Sequence, residues 1–283
     1  YGSEGGIYDH VGYGTGTHVR VTSLATRSTK LRAPFQAEPG AVRYLEGDDI
    51  VATIAPIWDR FRLERAGEVG RSVSDHEYFV AGGSTEDGGF SATAWLGHRD
   101  GYAAYRTNMN WNEGHPSHTV SVSELVAVTP EAHVALWHTL TNLDLVGTIT
   151  SRVIPIDDPL PLLLENPRAL RTTDLNDGVW LNVRDVPACF GARTYRTADR
   201  IVVEVDGTRW AIEGGPDGGA CTRVRSRPDL VTSHGSFSSL LYGGVLQSAL
   251  VRARRMTARN GEVLGRADIF FTTSVAPHCQ SHY

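Results

Sequence analysis

VSELVAVTPEAHVALWHTLTNLDLV, residues 122–146, runs from a strand into the clearest helix of the chain. The strand is the end of HTVSVSELVAV (118–128). Thr129 is placed to N-cap the helix, Pro130 suits its first position, Glu131 complements the dipole, and Leu136, Leu140 and Leu143 recur on one face. GTITSRVIP (147–155) returns to strand.

Upstream, FSATAWLGH (90–98) and GYAAYRTNM (101–109) read as neighbouring strands joined around Asp100-Gly101. Downstream, VWLNV (179–183), IVVEV (201–205), RWAIEG (209–214) and ACTRVR (220–225) read as short strands of an antiparallel sheet. Asp206-Gly207 is a two-residue hairpin signal between the second and third. SFSSLLYGGVLQSALVRARRM (236–256) reads as one or two helices covering that sheet, and ADIFFTTSV (267–275) as a final strand before the tail APHCQSHY. The N-terminal stretch SEGGIYDHVGYGTGT (3–17) holds five glycines, which mark tight turns, and two tyrosines, Tyr8 and Tyr13; THVRVTSLAT (17–26) follows as a strand.

A chain of 283 residues with 41% apolar content is long enough for about two globular domains and a sizeable core. Its net charge of −5 gives no overall positive field for nucleic acid or an anionic membrane and suits cationic small molecules better. The three cysteines, Cys189, Cys221 and Cys279, are widely spaced, without a CxxC pair, which argues against a disulfide framework and points to a reducing cytoplasm. No apolar run approaches the roughly 20 residues that span a bilayer.

SEGGIYDHVGYG resembles the last block of the GNAT superfamily of acetyl-CoA-dependent N-acetyltransferases. More narrowly, VSELVAVTPEAHVALWHTLTNLDLV, DDPLPLLLENPRALRTTDLNDGVWLNVRDVPA (157–188) and SLLYGG (239–244) resemble the Eis family, over essentially the whole chain. The resemblance implies an α+β protein: residues 1–30 as the end of a first GNAT domain, 31–170 as a second GNAT-like domain, and 171–283 as a sterol-carrier-protein-like domain. It also implies a homohexamer that acetylates amines of aminoglycosides, polyamines or lysine side chains, with acetyl-CoA as cosubstrate.

Two residues carry over by position. Tyr8 matches the family's general acid, which returns a proton to the departing coenzyme A thiolate, and Tyr283 matches the C-terminal residue whose free α-carboxylate acts as base toward the amine. Phenols titrate near ~10 and thiols near ~8.5, so this proton transfer is uphill by about 2 kcal/mol and hydrogen bonding to sulfur is the phenol's larger contribution. An α-carboxyl near ~3.5 becomes a useful base only in an apolar setting that raises it.

Other candidates read as structural. His278, Cys279 and His282 crowd the tail without a second ligand cluster, so no metal is expected there. His115 and His118 decorate a hairpin, and Arg252, Arg254, Arg255 and Arg259 form a basic run at a helix C-terminus. The pyrophosphate loop of GNAT enzymes, Arg/Gln-x-x-Gly-x-Gly/Ala at a helix N-terminus, has no match; RAGEVGR (65–71) comes nearest, with its first glycine one position early. The expectation is therefore an Eis-like acetyltransferase whose coenzyme-binding half lies outside this chain, in a separate or preceding N-terminal segment. The alternatives are a non-acetylating module using the same cavity and a lipid- or sterol-binding protein.

Overall fold

The computed structural model describes residues 5–32, 37–82 and 88–281. The chain divides into two compact units: a continuous one, Val19–Asn176, and a split one that joins the residues up to His18 to Asp177 and everything after it.

In chain order the first elements are helix α1 (Gly5–His10), strands β1 (Gly14–Thr15), β2 (His18–Ala25) and β3 (Arg43–Leu45), and helices α2 (Asp48–Phe61) and α3 (Val73–Gly82). Then come β4 (Ala94–His98), β5 (Gly101–Asn108), the small hairpin β6 (Trp111–Asn112) and β7 (His115–Pro116), β8 (His118–Ala127), α4 (Pro130–Thr141) and β9 (Val146–Ile154). The chain continues through α5 (Leu160–Leu163), β10 (Leu170–Asp177), β11 (Trp180–Leu181), α6 (Val186–Gly191), β12 (Asp199–Val205), β13 (Thr208–Gly215) and β14 (Gly218–Arg223). It closes with β15 (Leu230–Thr232), α7 (His234–Ser238), α8 (Gln247–Arg252), β16 (Met256–Ala258) and α9 (Gly261–Phe271).

The continuous unit is built on a seven-stranded sheet in the order β10-β2-β9-β8-β5-β4-β3. β8 and β9 run parallel because α4 crosses between them, while β3, β4, β5 and β8 are joined antiparallel. α4 forms as its sequence implies: the Thr129 hydroxyl accepts from the Ala132 amide at 3.2 Å, and Ala132, Leu136, Trp137 and Leu140 are buried. A bulge between Ala104 and Tyr105 on the β8 ladder reverses the alternation of β8. Val120 and Val122 therefore join the core that holds Leu136 and Trp137, whereas Val126 joins the second core, with Ile54 and Trp58 of α2. Both faces of the sheet are thus covered. The β4–β5 turn falls at Arg99-Asp100, one residue earlier than expected, since His98 pairs with Gly101.

The split unit has a five-stranded sheet in the order β14-β13-β12-β15-β16. Val205 pairs with Thr208, and Asp206 (φ 48°) and Gly207 (φ 81°) turn the hairpin with the two positive φ values that its twist requires. VWLNV is not part of this sheet: Trp180 and Leu181 pair with Thr15 and Gly14 instead, a contact between segments far apart in sequence. The expected final strand over 267–275 is also corrected. Residues up to Phe271 complete helix α9, which Asn260 caps by accepting from the Val263 amide, and Val263, Ala267, Phe270 and Phe271 are its buried face. The core of this unit is aromatic: Tyr195 stacks on Phe270 at 4.1 Å, and Phe190 packs against Phe237 at 4.6 Å.

Candidate active site

The N-terminal glycine-rich stretch contains helix α1, which carries Tyr8. A six-residue helix with two glycines has little stability of its own, so its contacts must hold it. Tyr8 is half-buried; its ring lies 5.6 Å from that of Trp180 and 5.8 Å from that of Tyr13, which it meets edge-on. The Tyr13 amide donates to the Tyr8 carbonyl at 2.9 Å, and Trp180 donates its indole N–H to Asp177. The loop after α1 then presses onto α7. A Cβ at Gly14 would sit 2.1 Å from the Gly235 carbonyl oxygen, and one at Gly235 would sit 2.8 Å from that of Tyr13, so neither glycine admits a side chain.

Tyr283 lies outside the described residues, as does His282. The tail before them is buried at His278, Cys279 and Gln280. It passes close to the loop that follows Tyr8: a Cβ at Gly244 would lie 3.2 Å from the Pro277 ring and 3.4 Å from the Gly16 carbonyl. Tyr242, whose ring would lie 3.1 Å from a Cβ at Gly16, has its hydroxyl pushed above the usual phenol range by burial and by the thiols of Cys279 and Cys189. Among the described residues no cluster of three or more His, Cys, Asp and Glu is arranged to hold a metal.

His115, His118 and Arg259 are taken up in structure. His115 pairs with Asn112 in the small hairpin, and His118 Nδ1 stands 3.1 Å from the Asn110 backbone nitrogen. Arg259 pairs with Asp229 at 3.0 Å. Within RAGEVGR, Arg65 pairs with Asp157 at 2.8 Å and Arg71 is sealed against the sheet; the segment connects α2 to α3 and opens no helix.

Arg71 belongs to a cluster that the sequence reading missed. Its guanidinium forks onto Glu124 at 2.8 and 3.2 Å and lies 3.4 Å from the Trp58 ring centroid, while Tyr102 donates to Glu124 at 2.7 Å. Burial works against the Arg71 cation, but Glu124 outweighs it and holds the guanidinium above its ordinary value. Burial and Glu124 push the Tyr102 hydroxyl well up, and burial together with Arg71 lowers His76. Glu124 sits in a stretch whose every second residue is buried, and that phase was the available signal.

The N-terminus of α4, which follows β8, is poorly suited to a pyrophosphate. Pro130 has no N–H, the Ala132 amide is already bonded to Thr129, and Glu131 sets a carboxylate where an anion would approach.

A seven-stranded α+β unit and an aromatic-cored α+β unit agree with the family matches. The acetyltransferase (GNAT) domain family matches residues 67–184, and the sterol carrier protein domain family matches residues 186–280. The protein is a GNAT-type N-acetyltransferase with a C-terminal sterol-carrier-type domain, a class that draws its acyl group from an acyl-CoA. Over 287 residues, 97% of this chain and 69% of the relative, it is 32% identical to N-acetyltransferase Eis of Mycobacterium tuberculosis. An uncharacterised N-acetyltransferase of Streptomyces avermitilis is 29% identical over 97% of this chain and 70% of its own. Among solved structures, Eis1 from Mycobacterium abscessus superposes with a TM-score of 0.84 at 29% identity, covering 100% of this chain and 72% of the other. The chain belongs to the Eis family of N-acetyltransferases. No helix among the described residues is long and apolar enough to cross a membrane.

Proposed function

We propose that the protein transfers an acetyl group from acetyl-CoA to an amine of a cationic acceptor of the aminoglycoside, polyamine or lysine type. In this reading the amine nitrogen forms a bond to the acetyl carbon as the carbon–sulfur bond breaks. Tyr8 gives its hydroxyl proton to the leaving thiolate, and the α-carboxylate of Tyr283 takes the proton that the amine sheds. The same reading carries the family's homohexamer, a cytoplasmic location, and residues 1–30 as the end of a first GNAT domain.

The observation that carries it is the Tyr8 frame: a phenol held by two aromatic rings, on helix α1, with the buried tail passing close to the loop that follows that helix. Residues 278–280 of the tail are buried, and a carboxylate becomes basic where burial takes it out of water. The net charge of −5 favours a cationic acceptor. Lipid binding draws no support from the sterol-carrier-type domain, whose centre is occupied by Phe190, Tyr195, Phe237, Phe270 and Phe271.

Thiol release from acetyl-CoA in the presence of an aminoglycoside tests the reading. Residues appended after Tyr283, or amidation of its carboxylate, should lower kcat at least about a hundredfold, the scale of losing a general base. Tyr283→Phe should matter little. An active enzyme with a C-terminal tag overturns the role of the carboxylate.

A further inference from the structure

Among the described residues of its own unit, helix α1 has a charged anchor that comes from the sterol-carrier-type domain. Asp9, the residue after Tyr8, accepts a hydrogen bond from the Arg255 guanidinium. Arg255 is itself fixed. Its Nε donates to the hydroxyl of buried Ser236 at 3.0 Å, its amide donates to the Leu250 carbonyl at 2.9 Å, and its carbonyl accepts from the Thr232 hydroxyl at 2.8 Å. Beneath the pair, a Cβ at Gly235 would lie 2.9 Å from the Asp9 carboxylate, so α7 comes up directly under α1.

Trp180 and Tyr13 flank the Tyr8 ring, one tilted at 31° and the other edge-on at 83°, but these contacts bear on the ring and not on the helix backbone that carries it. A charge-assisted bond one residue away fixes the backbone of the helix that carries it. We infer that Arg255 is a positioning residue for Tyr8, acting through Asp9, and that the sterol-carrier-type domain thereby takes part in acetyl transfer. The inference rests on the reading of Tyr8 as the acid.

The test uses the acetyl-transfer-active protein and four variants, Arg255→Met, Asp9→Ala, the double variant and Tyr8→Phe. Arg255→Met and Asp9→Ala should each lower kcat about tenfold, since misplacing a reacting group by a fraction of an ångström costs rate on that scale, with KM for acetyl-CoA changed less than about twofold. The double variant should be no slower than the slower single one, because both remove the same link. Asp9→Ala leaves the Arg255–Ser236 bond intact, so it reports on positioning even if Arg255→Met folds poorly. Exchanging the charges, Asp9→Arg with Arg255→Asp, should recover part of the lost rate. Tyr8→Phe slowing turnover while Asp9→Ala does not, or single effects that multiply in the double variant, would overturn the inference and leave the role of Tyr8 standing. A silent Tyr8→Phe would sink both.

Discussion

Of the arginine–carboxylate pairs in the two units, Arg71–Glu124 and Arg255–Asp9 sit in opposite environments. Arg71–Glu124 in the continuous unit has side chains 11% and 2% exposed; Arg255–Asp9 in the split unit has side chains 42% and 44% exposed. Removing one partner of a sealed pair strands a charge away from water, whereas an open pair gives back its hydration when broken. The sealed pair is accordingly a matter of stability. The open pair contributes little to stability and can serve geometry.

The strongest way to break that contrast is Glu124→Ala, which leaves Arg71 buried over Trp58 and deprives Tyr102 of its acceptor. The continuous unit should lose about 3–5 kcal/mol. Urea unfolding followed through Trp58 and Trp95, both in the core of this unit, measures it; a loss under about 1 kcal/mol would show that the pair behaves like an exposed one.

Tyr8→Phe is the corresponding test on the split unit, and its effect should fall on rate. Turnover should drop by about 10²–10³-fold with the affinity for acetyl-CoA largely kept, because the hydroxyl acts as charge develops on sulfur. Stability should change by less than about 1 kcal/mol, as the ring contacts to Trp180 and Tyr13 remain. A damaging Tyr13→Phe beside a mild Tyr8→Phe would move the acid to the other tyrosine.

Acid pH acts on the continuous unit through His76. It is buried in the continuous unit, and its Nδ1 has no hydrogen-bond partner among the described residues. Burial and the Arg71 cation lower its pKa in the folded state, so the unfolded chain binds the proton more readily. Its contribution is therefore complete above the unfolded value of about 6.5 and is lost as pH falls from there through the folded value. The slope from this one group is at most about 1.4 kcal/mol per pH unit. His76→Leu should flatten the stability profile just below pH ~6.5, and an unchanged profile would refute the assignment.

The local features were legible in the sequence where one short stretch carries the whole cause. Thr129, Pro130 and the leucines of α4 lie within a few turns of each other, and Asp206-Gly207 needs only its own φ values. Two local readings failed for a physical reason. Phe270, Phe271 and the threonines after them favour strands, yet they follow Asn260, Glu262, Val263 and Ala267, whose cap and spacing make α9 a helix. The glycines of GGIYDH hid α1, because that helix is held by Trp180 and Arg255 and not by its own propensity. The Asp9–Arg255 link spans 246 positions and has no sequence signature at all.

The smallest expected effect is the one that most sharpens the contrast. Arg255→Met should cost the split unit only about 0–1 kcal/mol, the usual range for an exposed ion pair, even though helices α1 and α7 meet at that side chain. Two features keep the figure low: the Arg255 backbone stays bonded to Leu250 and Thr232 whatever the side chain, and methionine preserves the apolar stem. Unfolding of the split unit followed through Trp180 and Trp210 fixes the number. A loss of about 3 kcal/mol or more would place Arg255–Asp9 in the same class as Arg71–Glu124, and any fall in turnover would then report a loosened unit rather than a displaced Tyr8. A small loss accompanied by a tenfold fall in kcat would separate the two roles, because a side chain that stabilises little can then affect rate only through where it holds helix α1.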